Sequence, residues 1–491
     1  MTGDLRLAGP ALACWATTAV ALWAPLPLTV VLAAAWATVA AAGWLLLRRR
    51  RAALAATVLG LCGIAAAAGT VCAIRIATVE SAPARGLAGT PALVLQVTGD
   101  PLVFTGQDNV RLPVRVLEID DRRVPAVDAA LMTRTSQLPD TVPGQRLAVR
   151  ARVRARPARA ADRLVAARLT AVEPPTVIGQ APLWQRGAGA VRERLRVTAA
   201  RALPPRAAGL LPGLVLGDTG GLDTGLRENF RAAGLTHLVA VSGANFSIVC
   251  GAVVLGVRMA GASTRVTVAV GLLAMAGFVI LVRPTDSVLR AAVMGGVGLM
   301  GALAARRAQA LPALGAAVIV VLLFWPQMAL APGFALSVLA TLGLVLWAAP
   351  VRQWLVRHGV PEVLAVLLAM TMAAQILTTP LVIAISDRLS LVSLPANVLV
   401  APVIGVVALL GTAAAVLGAI GPAAGPGALT AEWLLRATAP EMWWLLTCAD
   451  GLGGRRWSAP EVPGWQAAVV LSLIGAFGWA AWRARRGRPL S

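Results

Sequence analysis

Gly234-Leu-Thr-His-Leu-Val-Ala-Val-Ser-Gly-Ala-Asn-Phe-Ser-Ile248 places polar side chains at the start of a long apolar run. In hydrocarbon, a polar group costs several kcal/mol unless it meets a partner or water. The polar side chains of this stretch therefore either pack between helices or line a cavity; they are His237, Ser242, Asn245 and Ser247. Both interpretations stay open, because hydrogen bonds between membrane helices use the same side chains, whereas an ionisable group such as His237 indicates a functional site.

The rest of the chain has the composition of a membrane protein with many spans. Of its 491 residues, 58% are hydrophobic and 13% are charged, and a soluble domain carries about twice that charged fraction. The sequence contains no Lys, so its 44 basic residues are all Arg, and against 22 acidic residues they give a net charge of +22. Such a surplus of cations favours an anionic partner.

Apolar runs predict about twelve membrane spans. They are about Leu12–Trp23, Leu28–Leu47, Leu54–Ile76, Leu238–Val257, Val266–Val282, Val288–Leu303, Leu311–Phe324, Leu330–Trp347, Leu364–Ile385, Pro402–Ile420, Leu429–Cys448 and Trp465–Trp482. The positive-inside rule puts Arg48–Arg51 in the cytoplasm. Both termini are then cytoplasmic, and the first run is a retained helix, because no basic cluster precedes it as in a signal peptide.

Three segments interrupt this pattern. Ser393–Val400 contains Pro395 and Asn397, which predict a re-entrant or broken half-helix. Leu429–Cys448 contains several charged residues, so it is either a span or an interfacial segment. Gly209–Asp218 is predicted as a hairpin-like apolar piece that is too short to span the membrane.

Between residues 90 and 172 the apolar pattern changes to alternation. Runs of strand length are Leu93–Val97, Val110–Ile119, Arg146–Arg156 and Leu164–Val172, with turn residues between them. About five short strands in about 80 residues fit a small barrel such as an OB-fold. The fold class predicted is an α-helical polytopic membrane protein with an inserted extracytoplasmic all-β OB-like domain.

The domain organisation follows from these segments. We predict N-terminal transmembrane helices over 1–78, the extracytoplasmic OB-like domain over 79–182, an amphipathic interfacial helix over 183–206, and a large transmembrane bundle over 207–491. The interfacial helix carries Arg192, Arg194 and Arg196 between apolar residues, a pattern typical of helices on anionic membrane surfaces. A soluble helix packed on the barrel remains the alternative.

One predicted strand carries a row of cations. Arg150, Arg152, Arg154 and Arg156 all lie on one face, because successive side chains of a strand alternate. Their separation of about 7 Å approximates the spacing of phosphates in a nucleic acid backbone. The alternative is a solvated outer face of a half-buried strand. Phe104 is the one aromatic residue in the segment, so any contact with nucleic acid would run through phosphates rather than stacked bases.

The residue inventory argues against catalysis. The two His, His237 and His358, cannot build a di-zinc hydrolase site, and a chain without Lys has no P-loop. No Cys/His cluster has metal-ligand spacing. On one presumed helix, His237 and Ser242 lie about 140° apart around the axis and could not meet as a protease pair. We therefore predict no catalytic residue, no metal and no cofactor.

Transport remains as the class of function. Further polar residues in apolar surroundings would extend the polar path that begins in Gly234–Ile248; they are Asp218, Arg283, Asp286, Arg290, Gln375 and Asn397. Gly243 would let another backbone approach that path closely. Simpler interpretations stay open: Asp286 and Arg290 could form an i,i+4 ion pair, and the amides could hydrogen-bond between helices for under ~1 kcal/mol each.

Several segments together resemble the ComEC competence family, the inner-membrane DNA uptake channel of natural transformation. They are Leu216-Gly-Asp218, Leu226–Phe230, Gly234–Asn245, Pro284–Ala291, Pro332–Gly343 and Thr379–Asn397. The order of parts is also similar, with N-terminal helices, an OB-like domain and then the competence-type channel bundle. One departure is Asn245, which stands where the family motif has its second His. The side chain at this position can therefore still form hydrogen bonds, but it cannot titrate.

The resemblance implies a channel that passes single-stranded DNA inward across the plasma (inner) membrane. His237, Ser242, Gly243, Asn245, Ser247, Asp218 and the further path residues would line it, and Arg150–Arg156 with Arg192, Arg194 and Arg196 would receive DNA. Implied partners are the lipid bilayer, a DNA receptor outside, and a cytoplasmic motor or single-strand-binding protein. The oligomeric state stays open.

Many family members also carry a C-terminal metallo-β-lactamase-like domain. The two His of this chain cannot build that domain's metal site, so strand degradation would need a separate nuclease or a longer chain. The competing function from the residues alone is a transporter or flippase for another anionic envelope polymer or lipid-linked substrate. A third alternative is a scaffold without a water-filled path.

Overall fold

The computed structural model describes residues 6–48, 52–87, 89–103, 108–154, 160–239, 241, 243–303, 309–422, 425–467, 469–473 and 475. The chain divides into two compact units. The first contains Met1–Ala190 with Gly315–Ala331, and the second contains Val191–Leu314 with Pro332–Ser491.

The first unit begins with three apolar helices, α1 (Ala8–Trp23), α2 (Leu26–Leu47) and α3 (Ala52–Glu80). Small residues let them pack closely. A Cβ at Gly69 of α3 would lie 2.9 Å from the Cβ of Ala33 of α2. Such contacts are typical of helix pairs in membranes, where close backbone approach replaces the hydrophobic driving force.

The described part of the first unit also contains seven short or medium strands. They are β1 (Ala92–Val97), β2 (Leu102–Val103), β3 (Asn109–Ile119), β4 (Arg122–Arg134), β5 (Arg146–Arg154), β6 (Arg168–Ala171) and β7 (Thr176–Gly179). Five of these described strands close a barrel in the order β1-β3-β4-β6-β5, with β5 pairing back to β1. The β4–β6 pair is parallel and the other pairs are antiparallel.

One leucine from each barrel strand fills the centre of the barrel. Leu95, Leu112, Leu131, Leu147 and Leu169 are each at most 1% exposed. This closed five-stranded barrel, inserted in a mainly helical chain, confirms the predicted fold class.

The strand β4 was not among the predicted runs, because Pro125 and Asp128 interrupt its apolar pattern. The turn residues Asp120 and Asp121 precede it, and they form a two-residue hairpin turn between β3 and β4. Asp120 and Asp121 have φ of 46° and 61°, the left-handed conformation that such turns require.

The second unit is helical, and α4 and α11 contain the boundaries between the units. Its helices are α4 (Leu183–Ala202), α5 (Pro205–Leu216), α6 (Thr224–Ala232), α7 (Thr236–Val239), α8 (Gly243–Met259), α9 (Thr264–Val282), α10 (Asp286–Leu303), α11 (Ala310–Phe324), α12 (Pro332–Arg357), α13 (Glu362–Ser386), α14 (Ser393–Ala419), α15 (Pro426–Ala437) and α16 (Ala439–Cys448). Phe230, Phe246, Leu210, Leu435 and Leu445 lie in its core.

Seven helices of the described chain are long and apolar enough to cross a membrane. They are α2, α3, α9, α10, α12, α13 and α14. Shorter apolar helices include α1, α5, α11 and a segment over Gly464–Leu473. A membrane protein is thereby confirmed, whereas the total of about twelve spans and their orientation stay predictions.

The structure corrects three local predictions. Ser393–Val400 is not broken but begins the continuous helix α14, because Pro395 lies in the first turn, where the missing N–H has no intrahelical partner. Leu429–Cys448 is not one span: it divides at Thr438 into helices of 12 and 10 residues. Gly209–Asp218 is not a hairpin, because its residues up to Leu216 belong to α5, with Pro212 inside that helix.

Candidate functional site

The helix expected through Gly234–Ile248 is interrupted. It ends as α7 at Val239 and resumes as α8 at Gly243, and Val241 between them is not helical. The presumption that His237 and Ser242 share one helix is not tested, because Ser242 lies outside the described residues; α7, which contains His237, ends at Val239. His237 is exposed and hydrogen-bonds the backbone of Gly234.

Asn245 meets the C-terminal end of α5. Its side chain is buried, and Nδ2 donates to the carbonyl oxygen of Leu214 at 3.1 Å. The last four carbonyls of a helix have no intrahelical donor, so this amide satisfies one of them. Gly217 ends α5 in the left-handed conformation with φ of 72°. A Cβ at Gly217 would lie 3.3 Å from Cγ2 of Val241, so the end of α5 lies beside the interruption.

Two arginines of α4 also hold helix ends. Arg192 is 6% exposed, and its Nη1 donates to the carbonyls of Leu216 at 2.9 Å and Leu281 at 3.2 Å, at the ends of α5 and α9. Nη1 of Arg194 donates to the carbonyls of Gly418 and Ala419 at the end of α14, at 3.2 and 3.1 Å. A cation at a helix C-terminus is favourable, because the carbonyls there carry partial negative charge.

Asp218 forms ion pairs with two arginines of α4. Its Oδ2 is 3.1 Å from Nε of Arg196 and 4.0 Å from Nη2 of Arg192. On the same face of α4 as Arg192, Leu195 and Ala199 are buried in the core of the second unit. The basic pattern of this part of α4 is therefore used for capping helices and for pairing Asp218, a role that the sequence analysis did not identify.

Arg290 of α10 approaches the start of α8. It is 8% exposed, its Nε donates to Oγ of Ser337 at 2.7 Å, and its Nη1 lies 3.3 Å from Sδ of Met294. A Cβ at Gly243 would lie 2.7 Å from Nη2 of Arg290. The predicted alternative of an ion pair with Asp286 is not present among the described residues, since Asp286 accepts a hydrogen bond from the backbone of Phe334.

The remaining residues that were predicted to line the path differ in their surroundings. Arg283 joins α9 to α10 with φ of 78°, a strained conformation for a residue with a side chain. Ser247 is exposed and donates to the carbonyl of Gly243 at 2.9 Å. Gln375 is half-buried on α13. Asn397 donates to Ser393 of its own helix at 2.7 Å, so that amide satisfies a local carbonyl rather than one on a neighbouring helix.

The structure thus brings together the ends of α5, α8, α9 and α10, which we call the helix-end cluster. Its polar members are Asp218, Asn245, Arg192 and Arg290, with Gly243 at the start of α8. Helix ends and non-helical backbone at membrane depth are tolerated where they are buried in protein or line a cavity. Within the described ranges, no three His, Cys, Asp or Glu side chains lie close enough to hold a metal ion.

The arginine row of β5 lies on the outside of the barrel. Arg150, Arg152 and Arg154 are exposed and alternate with the buried Ala151 and the half-buried Val153. Arg156 and Phe104 lie outside the described residues. In the part of the barrel that the structure describes, no carboxylate is paired with any of these three arginines.

Several other arginines of the barrel are paired with carboxylates. Arg111 and Arg168 both bind the carboxylate of Asp162, at 2.9 and 2.7 Å, and Arg115 binds Asp128 at 2.9 Å. Burial raises the pKa of Asp162, but the two guanidinium groups outweigh burial and hold that pKa below its ordinary value. In the described part of the barrel, by contrast, the three arginines of β5 form a row of positive charge that no carboxylate neutralises.

A comparison with known proteins matches a part of the chain that contains Asp218, Asn245 and Arg290 of the helix-end cluster. The family described as Competence protein matches residues 214–486, more than half of the chain. ComE operon protein 3 of Bacillus subtilis (strain 168) is 30% identical over 216 residues, which are 44% of this chain and 27% of that protein. The matched part of the chain is thus well under two thirds of that relative's length. No solved structure matches. The chain therefore belongs to the competence protein family, in agreement with its resemblance to ComEC.

Proposed function

We propose that the chain forms the inner-membrane channel through which single-stranded DNA enters the cell in natural transformation. Membership of the competence family supports a role in DNA uptake. The observation that carries the proposal is the unneutralised row of Arg150, Arg152 and Arg154 on the outside of the barrel. Three exposed cations at about 7 Å intervals match a polyanion better than a compact anion.

The barrel would act as the first contact for DNA. Its closed sheet fixes the backbone positions of the three arginines, so binding costs little ordering of the backbone. A row of positive charge raises the local concentration of a polyanion and its rate of association. The contact would be insensitive to sequence, because it runs through phosphates.

The second unit would provide the path. Its helix-end cluster has the arrangement used by transporters, in which interrupted helices present their ends near the middle of the membrane. His237 and Ser247 are exposed polar side chains of Gly234–Ile248 in the described structure, and we place them at the wall. Asn245 and Arg192 are buried behind it, where they hold helix ends.

The proposal includes partners. The barrel faces the outside and meets a DNA receptor there, and a cytoplasmic motor or single-strand-binding protein draws the strand inward. A separate nuclease degrades the other strand. The chain itself acts as a channel rather than an enzyme.

Deletion of the gene tests the proposal in the host. Uptake of fluorescently labelled DNA into the cytoplasm should be lost in the deletion strain and restored by the wild-type gene. Uptake at the wild-type level in the deletion strain would rule out the channel. If uptake persists while export of an anionic envelope polymer stops, the chain is a transporter for that polymer instead.

A further inference from the structure

Two neighbouring cavities lie along α13 in the second unit. The first has a volume of about 380 Å³ and is lined by residues 386–388 and 461–464; we call it the polar pocket. The second has a volume of about 570 Å³ and is lined mainly by apolar residues of α12, α13 and the segment Gly464–Leu473; we call it the apolar groove. Ala384 lines the groove and Ser386 lines the pocket, so the two cavities adjoin on α13.

Hydrogen bonds between two chain segments form the wall of the polar pocket. The N–H of Val462 donates to the carbonyl of Asp387 at 2.9 Å, and the N–H of Leu389 donates to the carbonyl of Pro460 at 3.2 Å. Asp387 ends α13 with φ of 53°, a left-handed conformation in which aspartate and asparagine are enriched. The backbone of the pocket is therefore fixed by contacts on both of its segments.

The polar pocket contains charges of both signs. Nη1 of Arg388 donates to Glu228, whereas its Nη2 lies 3.7 Å from the carboxylate of Glu461, too far for a hydrogen bond. The carboxylate of Asp387 approaches Gly464 so closely that a Cβ there would lie 2.1 Å from Oδ1. Within the described ranges, no Arg or His is paired with Asp387. The pocket thus offers a guanidinium N–H and two carboxylates to a ligand.

The apolar groove opens toward the outside of α13. Ile376 in its lining is 41% exposed, and α13 is long and apolar enough to cross a membrane. An open apolar groove on such a helix meets acyl chains rather than water. Its volume of about 570 Å³ also lies in the usual range for ligand cavities, about 300–1,000 Å³.

The two cavities together have the length of one leaflet of a bilayer. Ser386 in the polar pocket and Ile376 in the apolar groove are ten residues apart on α13, which is about 15 Å at about 1.5 Å per residue. Half of a hydrocarbon core of about 30 Å has the same length. A lipid headgroup in the pocket would therefore place an acyl chain along the groove.

We propose that the polar pocket and the apolar groove bind one molecule of phosphatidylethanolamine. Its phosphate accepts from Nη2 of Arg388, its primary ammonium donates to Asp387 and Glu461, and one acyl chain lies along α13. Phosphatidylcholine has no N–H on its ammonium to donate to the carboxylates, and phosphatidylglycerol has no cation for them. This inference does not depend on the proposed function.

Native mass spectrometry of the full chain tests the site, because it resolves single bound lipid molecules. The chain in detergent is titrated separately with the dioleoyl forms of phosphatidylethanolamine, phosphatidylcholine and phosphatidylglycerol. We expect phosphatidylethanolamine to bind about tenfold more tightly than either of the other lipids, because only its ammonium forms charge-assisted hydrogen bonds with the carboxylates. Equal affinities for phosphatidylethanolamine and phosphatidylcholine, or a preference for phosphatidylglycerol, would overturn the inference.

Two substitutions in the polar pocket test recognition of the headgroup. Asp387→Asn and Glu461→Gln each remove a carboxylate and keep the size of the side chain, and asparagine also tolerates the φ of Asp387. Each should reduce the preference for phosphatidylethanolamine over phosphatidylcholine severalfold. Glu362→Gln removes an exposed carboxylate at the other end of α13 and should leave the preference unchanged. If both pocket variants keep the full preference, the headgroup does not occupy the pocket.

A matched pair of tryptophan substitutions tests the apolar groove. Leu381→Trp fills the groove and should weaken binding of phosphatidylethanolamine about tenfold. Val382→Trp adds the same ring at the next residue, which is 40% exposed and does not line the groove, and it should bind as the wild type does. Equal affinities for these two variants would contradict the position of the acyl chain. The melting temperature of each variant shows whether it is folded.

Discussion

Nη1 of Arg192 donates to the carbonyl oxygen of Leu216 at 2.9 Å, although the arginine belongs to a helix whose sequence pattern is that of a membrane-surface helix. The same nitrogen reaches Leu281. One side chain thus satisfies carbonyls at the ends of two helices, and it does so in a buried position. The charge of Arg192 is used to hold the helix-end cluster together.

Replacing Arg192 by Met should therefore destabilise the second unit. The buried carbonyl of Leu216 and the partly buried carbonyl of Leu281 would lose their donor, a loss of about 1–3 kcal/mol in the free energy of unfolding. Arg201→Met is the matched control, because Arg201 is exposed on the same helix. Thermal unfolding of the purified chain in detergent measures both. Equal melting temperatures for the two variants would show that the capping contacts contribute nothing.

Asn245→Leu should also lower stability, because the carbonyl of Leu214 would lose the amide that donates to it. We expect a loss of about 1–3 kcal/mol. Asn245→His retains a donor and should lie closer to the wild type. Ser247→Ala, on the exposed face of α8, is the control. If Asn245→Leu has the melting temperature of the wild type yet stops DNA passage, the amide belongs to the wall of the path and not behind it.

Reversing the arginine row should weaken single-stranded DNA binding and make it less sensitive to salt. Three lost phosphate contacts, at about 0.7 each, reduce the slope of log K against log salt by about 2. The full chain with Arg150→Glu, Arg152→Glu and Arg154→Glu is titrated with oligothymidylate at several salt concentrations. Arg122→Glu with Arg134→Glu, both exposed elsewhere on the barrel, is the control. An unchanged slope would show that the arginine row is a solvated face of the strand that does not bind DNA.

The ion pairs of Asp162 should make the stability of the barrel depend on pH. Its two arginine partners hold its pKa below the ordinary value of 3.8, so its contribution to stability is present above about pH 4 and is lost as pH falls through the lowered pKa. Asp162→Asn should reduce hydrogen-exchange protection of β6 at neutral pH, and the difference from wild type should shrink in acid. A difference that grows toward acid would contradict this sign.

The sequence predicted the barrel better than it predicted the helix ends. Alternation is a local property of the sequence, and it identified β1, β3 and β5. The strand β4 was not identified, because Pro125 interrupts its pattern. The residues Leu238–Val241 are all apolar, so periodicity gives no sign that α7 ends within them. The start of α14 was misjudged because a proline in a first turn resembles a proline that breaks a helix.

The sequence identified polar residues of the site, but it did not reveal what each of them does there. Polarity in an apolar run identified Asn245 and Arg290, but it could not distinguish a side chain that lines a path from one that satisfies a carbonyl behind it. For the same reason, the basic pattern of α4 indicated an anionic partner, while Arg192 binds carbonyl oxygens of its own chain. The partner of a buried cation depends on tertiary contacts, which spacing along the chain does not determine.

The passage of DNA through the purified chain is the most direct measurement. The chain is reconstituted into liposomes that enclose an oligonucleotide complementary to a labelled strand added outside, so that pairing inside draws the strand inward without a motor. We predict that label accumulates in a form protected from external nuclease, and only in liposomes that contain the chain. Equal protection in liposomes with and without the folded chain would contradict the proposed channel.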